Sequence, residues 1–118
     1  MLQDFHPGDF LIFQLESGYA LMRVLAIDEP QGNTIWHVAT YDDLFFDTET
    51  ADVALVRPED LSVQYPHLAL TNRAFESTQV ARMTNAPLKD EEMAALNEWR
   101  AAQGAVHDRS IRLMMGFR

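Results

Sequence analysis

Apolar residues recur with a two-residue rhythm through the first third of the chain. Asp9–Glu16 sets Leu11, Phe13 and Leu15 on one face and Phe10, Ile12 and Gln14 on the other, and Tyr19–Asp28 sets Tyr19, Leu21, Arg23, Leu25 and Ile27 against Ala20, Met22, Val24 and Ala26. Ser17-Gly18 between them suits a tight hairpin, because Gly reaches backbone angles closed to other residues. Glu29–Asn33 is dense in turn formers, and the β-branched and aromatic run Thr34–Tyr41 predicts a third strand. A sheet with one wet face alternates apolar with polar residues, and this meander does not. Both of its faces therefore need cover, from the C-terminal part of the chain or from another subunit.

The later pattern is less regular. A fourth strand is expected around Val53–Arg57, stopped by Pro58, with a short fifth at Leu61–Val63 and a long loop over Asp42–Asp52. After Tyr65-Pro66 the pattern changes: Thr71 or Asn72 suits the N-cap of a helix through Met83, yet Phe75–Met83 also alternates as a strand. Asp90-Glu91-Glu92 places negative charge at a helix start, Met93, Leu96 and Trp99 form an amphipathic stripe, and Gly104 suits the C-cap. The closing run Ser110–Arg118 alternates again and predicts a strand or extended arm. The expected architecture is one α+β domain over residues 1–118. A strongly bent, barrel-like antiparallel sheet occupies residues 1–64, and an amphipathic helix and terminal arm in 65–118 cover it.

Length and composition narrow the class. A chain of 118 residues holds one core, and 47% apolar with 23% charged residues is ordinary for a globular domain. Cysteine is absent, which removes disulfides, thiolate metal sites and cysteine nucleophiles. The N-terminal residues carry no signal-peptide pattern and no apolar run reaches bilayer length, so a cytoplasmic protein without membrane contact is expected. The net charge of −9 is unevenly spread: residues 1–60 hold twelve acidic side chains against Arg23 and Arg57, and residues 61–118 hold six against seven basic ones. Such a front half opposes nucleic acid and favours a basic protein partner. Arg100, Arg109, Arg112 and Arg118 near the end could pair with the acidic half of the same chain or of a second copy, which makes a homodimer through the C-terminal arm conceivable.

Candidate chemistry is sparse. Asp42, Asp43, Asp47, Glu49 and Asp52 cluster, but their spacing does not match a calcium loop and the required Gly is missing; a solvated acidic loop, with no metal and no cofactor, is expected. Within that cluster Leu44, Phe45 and Phe46 offer an apolar anchor rimmed by Asp42, Asp43 and Asp47, unless one phenylalanine closes the core. Arg23 is either an interface anchor or a guanidinium whose stem packs on the sheet while its head meets a carboxylate. His6, His37, His67 and His107 stand apart, without metal-ligand spacing. His37, beside Trp36 on a strand, reads as a structural imidazole before a catalytic base. The chain has no Gly-x-Ser-x-Gly elbow, no Ser-Lys pair and no Gly-rich phosphate loop.

The run Gly8-Asp9-Phe10-Leu11-Ile12-Phe13-Gln14-Leu15-Glu16-Ser17-Gly18-Tyr19, continuing to Arg23-Val24-Leu25, resembles the opening of SH3-like barrel domains and is similar to that of the bacterial immunity protein 26 family. The likeness covers about a third of the chain. It implies a toxin-neutralising binder without catalysis of its own, so the expected role is a non-catalytic immunity or adaptor-type protein-binding module with an acidic surface. Its alternatives are a small hydrolase or ligand-binding enzyme centred on His37, and a structural homo-oligomer subunit.

Overall fold

The meander forms where the alternation places it. In the computed structural model, which describes residues 4–116, β1 spans Asp9–Leu15, β2 Gly18–Asp28 and β3 Ile35–Tyr41. At the first hairpin a Cβ on Gly18 would lie 2.6 Å from the Phe45 carbonyl oxygen, so only glycine lets the two backbones approach. Tyr19 and Phe45 exchange backbone hydrogen bonds there, both 2.8 Å, which ties the segment after β3 to the hairpin.

Two further strands, β4 (Val63–Thr71) and β5 (Val80–Asn85), complete a five-stranded antiparallel sheet of order β4-β3-β2-β1-β5. The sheet is open, with β4 and β5 as its edges. Bulges interrupt three of the four pairings. The one at Leu25 has a sequence-level consequence: the extra residue shifts the parity of β2, so Ile27 packs with Val24 and Trp36 rather than with Leu25.

Both faces of the sheet are covered. On one, Leu11, Phe13, Met22, Val24, Trp36 and Leu70 pack beneath two short helices, the second and fourth in chain order, α2 (Asn72–Glu76) and α4 (Ile111–Met114), through Phe75 and Ile111. On the other, Phe10, Ile12, Leu21, Tyr41 and Phe45 lie under α1 (Thr48–Ala54), and Leu25 and Ala39 lie under Leu96 of α3 (Asp90–Ala102).

Several expectations are corrected. The supposed loop Asp42–Asp52 and strand Val53–Arg57 contain α1 instead: Asp47 caps it by accepting from Thr50 N at 2.8 Å, and this cap overrides the strand preference of Val53. Leu61 and Ser62 precede β4, which runs through Tyr65-Pro66, so a strand crosses the expected division at residue 64. Pro66 is tolerated because β4 is an edge strand. The ambiguous Thr71–Met83 resolves into both readings: Thr71 caps α2 through Ala74 N, and β5 follows. The C-terminal arm is neither strand nor arm over Ile111–Met114 but a helical turn, because the Ser110 hydroxyl accepts from Leu113 N. Phe117 and Arg118 lie outside the described residues.

The end of α3 carries its own constraint. Gln103 takes the left-handed conformation, and the following Gly104 is crossed by Trp99, whose Cδ1 would lie 2.3 Å from an added Cβ. Trp99 Nε1 donates to the Ala105 carbonyl at 2.9 Å. Gly104→Ala is expected to displace the indole and destabilise the fold by roughly 1–3 kcal/mol. Denaturant unfolding followed by tryptophan fluorescence measures this, and an unchanged midpoint would show that Trp99 yields without cost.

Candidate functional site

The acidic segment divides into structural and exposed residues. Phe45 is buried and closes the core over Phe10 and Tyr41, whereas Phe46 is 88% exposed. Asp47 is occupied as the cap of α1; the Thr50 hydroxyl and N–H bonds hold its carboxyl below the usual range. Asp43 accepts from Ser62 N at 2.7 Å, and Asp42 N donates to the Ser62 carbonyl, which fixes the strip bearing Leu44 beside the one bearing Val63. Asp42 and Leu44 face solvent. Exposed Val53 (71%) and Val56 (79%) at the end of α1 border a groove of about 410 Å³ shared with Leu61, Asp43 and Asp60. Arg57 lies at its rim, paired with Glu59 and Asp60 at 3.6 and 3.4 Å.

Arg23 lies in the interior, 2% exposed. Its Nε and Nη2 grip Glu92 of α3 at 2.9 and 3.1 Å, and the remaining donors reach the carbonyls of Gly8, Ala86 and Pro87 at 2.6, 3.0 and 3.1 Å. All five guanidinium N–H groups are thus satisfied within the chain. The guanidinium lies 4.2 Å from the centre of the Phe10 ring. Arg23 presents no group to a partner; it fastens α3 and the strip before it to the sheet.

Histidines that are distant in sequence meet. His37 Nε2 lies 2.9 Å from Asp28 Oδ2, and its Nδ1 lies 2.9 Å from His67 Nε2. The register explains this: His37 pairs with Ala26 on β2 and Ala69 on β4, and these small neighbours leave room for the diagonal residues Asp28 and His67. Trp99 closes the row edge-on to His37 at 4.9 Å, and Arg100 binds both Asp28 oxygens at 2.9 and 3.2 Å. A carboxylate only accepts, so His37 Nε2 carries the proton, its Nδ1 accepts, and His67 Nε2 donates. Burial lowers the His37 pKa, partly opposed by Asp28. Burial together with His37, Arg100 and His107 brings His67 down to about 4. For Asp28, burial opposes ionisation, but the bonds and charges of Arg100 and His37 outweigh it and lower its pKa.

Comparison with protein-family models, curated proteins and solved structures gives no match. His37 is wholly buried with both ring nitrogens engaged, so it has no lone pair or proton to offer a substrate. The 410 Å³ groove does not reach it, nor does an open recess of about 1110 Å³ by Gln14, Glu16, Thr78 and Gln79. Among the described residues no cluster of three or more metal-ligating side chains forms, and no helix is long and apolar enough to cross a membrane. The sequence reading offered Leu44, Phe45 and Phe46 together as an anchor, of which the structure buries Phe45 and exposes Leu44 and Phe46, and it missed the histidine pair, since a diagonal contact between strands leaves no mark along the chain.

Proposed function

We propose that this chain is a non-catalytic protein-binding module of the cytoplasm, of immunity or adaptor type, whose contact face is the segment 42–63. The observation that carries the reading is Phe46, a large aromatic side chain 88% exposed beside a helix that presents Val53 to water, with Val56 exposed just past its end. Exposed apolar groups gathered in one segment mark an interaction surface. The seven carboxylates of residues 42–63 against Arg57 alone select a basic partner. An amphipathic basic segment fits best, with its apolar side chains over the Val53–Leu61 groove and its cations toward Asp43 and Asp60. The bent, SH3-like character of the sheet belongs to the same reading, supported by the consecutive strand order, the return of β5 beside β1 and the three bulged pairings.

A helical probe peptide with lysines on one face and leucines on the other tests it by amide chemical-shift titration. Shifts confined to residues 42–63, weakened by salt and reduced roughly tenfold or more in affinity by Phe46→Ala with Val53→Ser, are the expected result. Shifts scattered over all acidic residues, or equal affinity in the variant, would refute the assignment.

A further inference from the structure

One cation stands in the acidic contact face, and that face's own carboxylates hold it. Between Arg23 and Arg73 the chain carries nine acidic residues and a single basic one, Arg57. Its Nε lies 3.6 Å from Glu59 Oε1 and 3.4 Å from Asp60 Oδ2, and Arg57 and Asp60 both border the groove formed with Val53, Val56 and Leu61. The backbone there is pinned. Arg57 N donates to the Ala54 carbonyl, Asp60 N donates to the Arg57 carbonyl, and the ring of Pro58 fixes φ between them. The side chain is free to swing, since it is 72% exposed and neither ion pair is closed by a hydrogen bond. Exposed pairs of this kind add little to stability, because water screens both charges and two long side chains must be held still. Arg57 matters to the groove instead: a cation brought by a partner needs the oxygens that the guanidinium already faces.

We infer that Arg57 is a built-in competitor: its guanidinium occupies Asp60 and Glu59, where the partner's cation docks, and swings into solvent when that partner arrives. The inference rests on the contact face proposed above and adds its regulation. A partner cation either displaces Arg57 or shares the carboxylates with it and is repelled, so every cation is weakened by the same factor. A lone cation gains at these oxygens about what Arg57 loses, and the exchange yields no net binding. A basic segment that also fills the groove beside Val53, Val56 and Leu61 adds apolar burial, which tips the exchange in its favour. The face thereby refuses basic side chains in general and admits the amphipathic segment.

Titrating the probe peptide of lysines and leucines into the unaltered protein and into Arg57→Gln at low salt tests this. The variant is expected to bind roughly three- to fivefold more tightly, the weight of one exposed ion pair, at an unchanged urea midpoint, with the gain shrinking as salt rises. In the unaltered protein the Arg57 Nε–Hε signal must move together with the amides of Asp60 and Leu61, since the guanidinium leaves its carboxylates. Arg109→Gln makes the same change of net charge beside α4, on the face of the sheet opposite α1, and must leave affinity as it was. A probe with glutamine in place of lysine must show no difference between the unaltered protein and Arg57→Gln. Equal or weaker binding by Arg57→Gln, a stationary Arg57 signal, or the same gain from Arg109→Gln or with the glutamine probe would overturn the competitor and leave the contact face standing. Absence of shifts in residues 42–63 of both the unaltered protein and Arg57→Gln would overturn face and competitor together.

Discussion

Arg23→Met is expected to destabilise the protein by about 3–5 kcal/mol, a third or more of the stability ordinary for a domain of this size. The methionine keeps the apolar stem over Phe10 but leaves Glu92 and the carbonyls of Gly8, Ala86 and Pro87 without their donor. Those carbonyls belong to the backbone before β1 and before α3, so no rotamer change can turn them to water. Arg23→Lys should recover little, because a single ammonium cannot replace a fork that reaches four residues. Arg23→Met combined with Glu92→Met should be less harmful than the Arg23 change alone, since no half-buried carboxylate is then stranded. Equilibrium unfolding in urea measures all three, and a loss below about 1 kcal/mol for Arg23→Met would show that the guanidinium network stabilises nothing. The Glu92 part should fade as pH falls below the usual carboxylate value of 4.5, because its folded pKa is the lower one.

This network marks where sequence reasoning succeeds and where it stops. Alternation placed β1, β2 and β3 to within a residue at each end, and the apolar residues on both of their faces correctly demanded two covers. It also left Arg23 two readings, and the structure takes the one with a packed stem and a carboxylate at the head. Which carboxylate was not legible, since Glu92 lies 69 residues away. Elements of four to seven residues are decided by single capping oxygens: Thr71 was legible as the cap of α2, although that helix stops at Glu76 and not at Met83, whereas α1 and α4, capped by Asp47 and Ser110, escaped because their apolar pattern is too short to outvote a loop or strand reading. Pro66 concealed β4, because a proline reads as a strand end until the strand is known to be an edge. The Phe46 surface was legible as chemistry; only the coordinates tell Phe46 from Phe45.

Phe75→Ala should produce a loss of about 3–5 kcal/mol on the opposite face of the sheet. Phe75 is fully buried, lies parallel to Trp36 with ring centres 3.9 Å apart and planes within 7°, and receives the edge of Phe5 at 6.1 Å. Its removal leaves a void that α2, a helix of five residues, cannot fill by shifting: Trp36 Nε1 donates to Asn72 Oδ1 at 2.8 Å and fixes the first residue of that helix. Phe75→Leu should retain most of the burial and lose the stacking, a cost of roughly 1–2 kcal/mol. Near-ultraviolet circular dichroism should report the same ranking, since Trp36 loses its stacked partner in both variants. The decisive control is Phe46→Ala. Removing that exposed ring should change stability by less than about 0.5 kcal/mol while weakening association with a basic partner. If Phe46→Ala proved as destabilising as Phe75→Ala, its ring would belong to the core, and the binding face would lose the residue on which it depends.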